Sequence, residues 1–326
     1  MKKTWVWVVS LAVVLTACSG KTFKTSPSAP SAPVPTNTPT FTVTGTSTGT
    51  PTVTATPTAA LPDFNLSGAV TTLNTGTYNF NCVHLSAGAV VTINGGVTIF
   101  CQCFTLDAGA TITGVGQGYN TGAPCGHSPV GGPGCGSSQM ASLCNFNVAG
   151  GGGHGAPGTQ DCFDCNIGVT VCANGGVATD DSVHPTLMGG SGGYGSCDAP
   201  GWGNGAGGGL LKAVVFNSAS NTLAPITVNG TIDMSGAPGI TMAGTGRHNG
   251  GGAGGTILVE ASVLGGHGAL VAAGGDSNWG KGYGGGGIIS LISDTTPYTG
   301  TTSVRAGFTS PNIGIVTVTP PPLSGY

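Results

Sequence analysis

The sequence predicts an all-β protein built as a solenoid, and three observations lead to this fold class. Glycine contributes 63 of the 326 residues, and each glycine in a helix interior costs roughly 1 kcal/mol relative to alanine, which excludes a helical bundle. Short apolar runs typical of strands alternate with turn residues after residue 62. A segment of about 21 residues is repeated there, and this period with short strands is typical of stacked coils.

The first residues predict export and lipidation. Two lysines precede the apolar run Trp5 to Leu15, which is too short to span a membrane and has the flanks of a secretory signal. The tetrapeptide Leu15-Thr16-Ala17-Cys18 follows, and it resembles the lipobox of bacterial lipoproteins. The resemblance implies that residues 1–17 are removed and that Cys18 receives acyl chains such as palmitate. An ordinary signal peptide with an unused Cys18 is the alternative.

The expected lipid anchor indicates a location. Several acyl chains, at about 0.8 kcal/mol per buried CH₂, hold a protein durably on a membrane. Ser19 rather than Asp follows Cys18, and this resembles the signal for transfer to the bacterial outer membrane, with the face of that membrane left open. After Leu61 only four basic side chains stand against eleven acidic ones. This balance argues against nucleic acid as a partner.

Residues 18–62 predict a disordered stalk after the lipidated cysteine. The segment is rich in Ser, Thr, Pro and Ala, and every even-numbered position from Thr36 to Thr58 is threonine. Such alternation is typical of a strand, but Pro39, Pro51 and Pro57 interrupt it. As a flexible coil the stalk spans roughly 35–40 Å, enough to hold a domain away from a surface.

The 21-residue repeat places two cysteines at equivalent positions on neighbouring coils. Residues 83–89 (VHLSAGA) align with residues 104–110 (FTLDAGA), and Cys82 and Cys103 precede them. Neighbouring strands lie about 4.8 Å apart, within the Cα separation that a disulfide tolerates. We therefore expect Cys82 and Cys103 to pair across one rung, with an unbonded ladder of cysteines as the alternative.

The other cysteines also predict disulfides. Setting Cys18 aside leaves ten, and an exported chain with an even number is typically disulfide-bonded. Residues 116–209 contain seven of them and no Lys or Arg, so we expect a loop-rich insertion stapled by disulfides. No zinc or calcium ligand spacing is recognisable there, and we expect no metal and no cofactor. The candidates without an assigned partner are Cys101, Cys125, Cys135, Cys144, Cys162, Cys165, Cys172 and Cys197.

Strand-like runs return at Leu210, each preceded by a glycine block. Residues 254–259 (GGTILV) are echoed 32 residues later by residues 286–291 (GGIISL). This layout resembles the glycine-rich parallel β-helix domains of bacterial surface proteins over residues 205–302. The resemblance implies a β-helix that occupies residues 63–326, including the insertion. Because glycine lets backbones approach closely, glycine helices packed side by side are the alternative for the blocks.

Two sets of side chains are candidates for binding or chemistry. Aromatic rings beside glycine blocks can stack on sugars, contact a partner or cover their own coil; they are Tyr194, Trp202, Trp279 and Tyr283. Polysaccharide cleavage requires carboxylates, with or without a base, to converge in one groove. The charged residues available to such a groove are Asp107, Asp233, Glu260, Asp276, Lys212 and Arg247.

These observations together favour a lipid-anchored envelope or cell-surface protein with a structural or adhesive role toward glycans, matrix or neighbouring cells. We expect no catalytic residues. One alternative is a carbohydrate-active β-helix enzyme, either a polysaccharide lyase or a glycoside hydrolase. Another is an envelope scaffold or assembly component with a protein partner.

Overall fold

A computed structural model describes residues 60–119, 132–141, 146–165, 168–193, 203–217, 220, 222–240, 248–277, 281–307 and 313–321. The chain divides at Pro57, and all of these residues belong to the unit Thr58–Tyr326. The expected signal peptide, Cys18 and most of the expected stalk lie outside the described residues. Within the described ranges there is no helix, so no helix there is long and apolar enough to cross a membrane.

The described residues form nineteen strands, and the fold is all-β. In chain order they are β1 Phe64–Leu66, β2 Val70–Asn79, β3 Cys82–Leu85, β4 Val90–Cys101, β5 Cys103–Leu106, β6 Thr111–Thr113, β7 Ser138–Ala141, β8 Phe146–Ala149, β9 Asp161–Cys165, β10 Val169–Ala173, β11 Leu210–Asn217, β12 Thr222–Leu223, β13 Ile226–Val228, β14 Thr231–Asp233, β15 Thr256–Gly265, β16 Ala269–Val271, β17 Ile288–Thr295, β18 Thr301–Ser303 and β19 Ile315–Thr319. Fifteen of them belong to one large sheet.

The large sheet is almost entirely parallel, because the chain returns repeatedly to the same three stacks of neighbouring strands. These stacks are called ladders here. The first ladder contains β1, β3, β5, β13 and the end of β15. The second contains the first halves of β2 and β4, then β6, β14, β16 and β18. The third contains the second halves of β2 and β4, then β11, β15, β17 and β19. This topology is consistent with the expected β-helix.

Each passage through the ladders is called a coil here. Coil 1 contains β1 and β2, coil 2 contains β3 and β4, and coil 3 contains β5, β6 and β11. Coil 4 contains β13, β14 and β15, coil 5 continues through β16 and β17, and coil 6 ends with β18 and β19. In coil 2 the chain turns from the second ladder to the third at Gly95, whose φ of 88° favours glycine.

The core lies inside the coils and is made of stacked aliphatic side chains. Alternate residues of a strand point to opposite faces, so every second residue of each ladder enters the core. One inward column of the third ladder contains Val97, Leu211, Ile257 and Ile289, all with at most 1% of their surface exposed. Burial of each such side chain contributes about 1.5–3 kcal/mol.

The third ladder is also covered on its outer face at β15 and β17. Leu258, Ile288 and Ile292 point outward there and are at most 2% exposed. Residues 179–188, called the strap, lie over this face: the hydroxyl of Thr256 donates to the Leu187 carbonyl at 2.8 Å, and that of Ser290 to the Val183 carbonyl at 2.6 Å. Because both faces are buried, these strands are nearly continuous apolar runs.

The glycine blocks lie where the chain passes from the second ladder to the third in coils 3 to 6. In coil 3 this connection is the large insertion between β6 and β11, in which β7 pairs with β8 and β9 with β10 as antiparallel hairpins. The connections contribute extended segments that hydrogen-bond to one another as well as to the ladders, and we call them together the glycine bundle. The strands between the blocks therefore form the coils, while the blocks adopt the side-by-side packing that the sequence left as an alternative.

Residues 248–255 form the central glycine segment of this bundle. Its amides three residues apart donate to the same neighbouring segment, as expected for an extended helix with three residues per turn. The donor and acceptor pairs are Gly250 to Gly193 and Ala253 to Gly190, Gly251 to Gly282 and Gly254 to Gly285, and Gly252 to Ala237 and Gly255 to Met234.

The carbonyls of the central segment accept bonds with the same period. Gly205 and Gly208, which belong to one neighbouring segment, donate to the carbonyls of Gly250 and Ala253, at 2.8 and 2.9 Å. The central segment is therefore surrounded by backbone on several sides, and the bundle is held together by peptide groups instead of side chains.

Candidate functional site

The outer side of the second ladder is a regular, open surface of the described residues. The strand registers align two outward columns, whose residues alternate with the buried Val91, Ile112, Ile232 and Leu270. The first column is Val70, Val90, Thr111, Thr231, Ala269 and Thr301, and the second is Thr72, Thr92, Thr113, Asp233, Val271 and Ser303. We call these twelve residues the outer threonine face.

The outer threonine face is a grid of methyl and hydroxyl groups. Rungs of a sheet repeat at about 4.8 Å, and alternate residues of a strand at about 6.6 Å. Half of the twelve residues are threonine, and Asp233 is the one charged member. Its Oδ1 accepts bonds from the amide and the hydroxyl of Ser235, at 3.0 and 2.6 Å. Such a surface suits a neutral polar partner more than a charged one.

The outer threonine face differs from the third ladder in being open. All twelve of its residues are partly or fully exposed, whereas the outward residues of β15 and β17 in the third ladder, such as Leu258 and Ile292, are buried. The sequence indicated strands in this region. It did not indicate the face, because the columns join residues that the insertion separates by more than 100 positions.

The acidic residues considered for catalysis lie on different sides of the coils. Asp107 lies in the turn after β5, where its carboxylate is 2.9 Å from His84 Nε2. Asp233 belongs to the second ladder. Glu260 points outward from the third ladder and pairs with Lys212 at 2.6 Å, with only 5% of its surface exposed. Asp276 follows β16 within the glycine bundle, and Arg247 lies outside the described residues. The described members of this set do not share a groove.

The cysteines divide into bonded and free ones. Cys82 and Cys103 are aligned on β3 and β5 and form a disulfide with a Cα separation of 4.7 Å. Cys162 and Cys172 join β9 to β10, and Cys165 is also disulfide-bonded. Cys125, Cys144 and Cys197 lie outside the described residues.

Two of the disulfide candidates, Cys101 and Cys135, are free thiols. Cys101 points into the core from β4 and is 3% exposed. Burial raises its pKa to about 12, so the thiol stays protonated. Cys135 is half-buried, and its thiol is 3.0 Å from the Gly132 carbonyl. An even number of cysteines in the sequence does not show which of their side chains point into the core.

The aromatic candidates are largely outside the described residues, where Tyr194, Trp202 and Trp279 fall. Tyr283 is described and is 7% exposed. Its carbonyl accepts a bond from the Thr159 amide at 2.9 Å, which places it within the glycine bundle. Its ring lies against the backbone at Gly307, where an added Cβ would be 3.0 Å from a ring carbon. Tyr283 therefore covers the backbone of its own region, which was the other interpretation of these aromatics.

A buried histidine and carboxylate fasten the strap to the glycine bundle, and sequence patterns gave no sign of them. His154 is fully buried, with Nδ1 2.9 Å from the Gly254 carbonyl and Nε2 3.2 Å from Asp180 Oδ2. Burial tends to raise the pKa of Asp180, but bonds from His154 and from the amides of Leu187, Thr186 and Asp181 lower it below its usual value. Both imidazole nitrogens of His154 therefore face oxygen atoms, one of the glycine bundle and one of the strap.

A second buried histidine, His248, is the first residue of the central glycine segment. His248 Nδ1 is 2.6 Å from Asp161 Oδ2, and Asp161 is fully buried. Neither pair is open to solvent, so both serve to position backbone. Among the described residues, no group of three or more His, Cys, Asp or Glu side chains is arranged to hold a metal ion.

Comparison of the chain with protein-family models, with curated proteins and with solved structures finds no match.

Proposed function

We propose that this chain is a lipid-anchored protein of the bacterial outer membrane with an adhesive or structural role. In this proposal the domain is a glycine-rich parallel β-helix with a disulfide-stapled insertion, carried on a disordered Thr/Pro stalk. The outer threonine face makes the contact, and its partner is a neutral polysaccharide of a matrix or a neighbouring cell. The observation that carries the proposal is the open, nearly uncharged grid of twelve aligned residues.

The chemistry of the face supports a neutral glycan as the partner. Each net hydrogen bond to a hydroxyl contributes only about 0.5–1.5 kcal/mol, so useful affinity requires many contacts at once. A grid that repeats on every coil supplies them to a polymer that also repeats. Because almost no charge takes part, added salt has little to screen. We therefore expect binding that is insensitive to ionic strength.

The remaining parts of the proposal come from the sequence. The lipobox ending at Cys18 supports anchoring, and the composition of residues 18–62 supports a tether with reach. The low content of basic residues supports contact with glycans or surface proteins instead of nucleic acid.

A charge placed in the middle of the face tests the proposal. We expect Thr231→Lys in the full-length protein to reduce co-sedimentation with insoluble neutral polysaccharides such as cellulose or chitin at least tenfold, because the ammonium group must lose water on contact. Thr227→Lys is the matched control, since it lies four residues earlier on the same coil but points outward from the first ladder.

Both variants are first compared by thermal unfolding, so that only folded protein is assayed. An equal loss of polysaccharide binding in the two variants would show that the contact lies outside the outer threonine face. Failure of the wild-type protein to sediment with any neutral polysaccharide would refute the adhesive role toward glycans.

A further inference from the structure

The coil next to the expected stalk, coil 1, is one of the two end coils of the described solenoid. Among the described strands, β1 pairs only with β3 and β2 only with β4, so coil 1 has a described neighbour on one side. Every interior coil has neighbours on both sides. In a solenoid each coil is stabilised by its neighbours, and end coils therefore open first.

Coil 1 has contacts that close it as a unit. Asp63 Oδ1 accepts bonds from Asn81 Nδ2 at 2.9 Å and from the Cys82 amide at 3.2 Å. The rings of Phe64 and Phe80 stack with centroids 5.0 Å apart. These contacts join the beginning of the coil to its end, so we expect residues 60–81 to open together.

The first disulfide stands at the point where coil 1 ends. Cys82 is the first residue of β3 in coil 2, and Cys103 is the first residue of β5 in coil 3. Their bond connects the two coils across one rung. A pull that has opened coil 1 therefore reaches a covalent link before it reaches the strands of coil 2.

We propose that the Cys82–Cys103 disulfide is a mechanical stop that limits unravelling of the domain when it is loaded through its stalk. The bond passes the load from Cys82 directly to coil 3, and the chain between the two cysteines is bypassed. The inference rests on the tethered role proposed above, but it requires no knowledge of the ligand.

Coil 3 is suited to receive the load. β5 lies between β3 and β13, and β11 lies between β4 and β15, so each strand has a partner on both sides. The connection from β6 to β11 contributes segments to the glycine bundle, where Gly208 donates to the Ala253 carbonyl at 2.9 Å. Opening coil 3 therefore requires many bonds to break together.

Single-molecule pulling tests the stop. The full-length protein is held by its N-terminus and by an azide-bearing side chain introduced at Thr231, so that the load crosses coils 1 to 3. We expect the oxidised protein to lengthen by about 75 Å as residues 60–81 extend, and the force must then rise at least twofold before the next event. With the bond reduced, a further extension of about 70 Å must follow at a force close to that of the first step, because the chain between the cysteines is released.

Two variants and one direct measurement separate the possible causes. Cys82→Ser with Cys103→Ser should show the extra step without reductant. Cys162→Ser with Cys172→Ser removes a disulfide of the insertion, beyond Cys103, and should not show that step at the first force. If the first double variant fails to fold, reductant is added to wild-type protein held after its first step, and one extension of about 70 Å is expected. No rise in force in the oxidised protein, or no extra extension after reduction, would overturn the proposal.

Discussion

Gly252 illustrates why single residues matter in the glycine bundle. Its amide donates to the Ala237 carbonyl at 3.0 Å, and its own carbonyl accepts from Gly275 at 2.7 Å. A Cβ added there would lie 2.0 Å from the Ala206 carbonyl oxygen, which belongs to the backbone and cannot rotate away. The requirement for glycine at this position is steric and comes from neighbouring backbones.

We expect Gly252→Ala to destabilise the domain by about 3 kcal/mol or more, because overpacking against backbone forces whole segments apart. Gly203→Ala is the matched control, since an added Cβ meets nothing within 4 Å there. Urea unfolding of both variants measures the difference. A Gly252→Ala protein as stable as Gly203→Ala would show that the bundle is loosely packed.

The cysteines show how far sequence reasoning extends at the scale of single residues. The 21-residue repeat predicted that Cys82 and Cys103 lie opposite each other, because a repeat carries its register with it, and the structure joins them. The even cysteine count, by contrast, did not reveal that Cys101 is a free thiol in the core, because its inward direction depends on where the chain turns at Gly95. The spacing of a repeat predicts which residues of neighbouring coils are aligned more reliably than it predicts which face of the strand a side chain occupies.

Among the elements, the strap has the most definite chemical attachment. Asp180 is held by His154 and by backbone amides, and its pKa lies below the ordinary value. A carboxyl whose pKa is lowered on folding stabilises the protein above the unfolded pKa of about 3.9, and this contribution is lost as the pH falls through the lower folded value. The strap is therefore expected to loosen in strong acid.

We expect Asp180→Asn to reduce the free energy of unfolding at pH 7 by about 1–3 kcal/mol, because buried donors lose their charged acceptor. The difference from wild type should narrow as the pH falls below about 3.9. Asp164→Asn, on the exposed part of β9, serves as the control. Urea unfolding at several pH values measures both effects, and a difference that does not change with pH would contradict a charged carboxylate at this position.

The strands were more predictable than the segments between them. The apolar runs beginning at Leu210, Thr256 and Ile288 were expected as strands, and they are β11, β15 and β17. The packing of the glycine blocks was left open, since blocks without side chains have no periodicity that a sequence can display. Their partners are set by backbone bonds between distant parts of the chain, such as Gly152 with Gly251.

For the whole molecule, the position of the outer threonine face depends on the complete set of coils. Thr113 and Asp233 are neighbours across one rung although the large insertion separates them. No local pattern connects the two residues, so the candidate surface emerged only from the assembled ladders. The expected lipid anchor, by contrast, depends on a short motif and remains a prediction.

We expect Cys18→Ala to lose retention in the envelope fraction, because an unacylated N-terminus has no hydrocarbon to insert. Cys135→Ser changes a cysteine that has a free thiol and no expected acyl chain, and this variant should stay in that fraction. Fractionation of cells that express each variant, followed by immunoblotting, measures the distribution. A Cys18→Ala protein as firmly bound as wild type would remove the basis for the proposed anchoring.

The glycine bundle also affects how the protein responds to temperature. Unfolding exposes mainly peptide groups there, and polar surface lowers the heat capacity change that apolar surface raises. The domain as a whole should therefore have a smaller heat capacity of unfolding per residue than the usual value of about 12–15 cal/mol/K. A smaller heat capacity change flattens the curve of the free energy of unfolding against temperature. A fold that relies on backbone hydrogen bonds therefore loses less stability on cooling than one that relies on apolar burial.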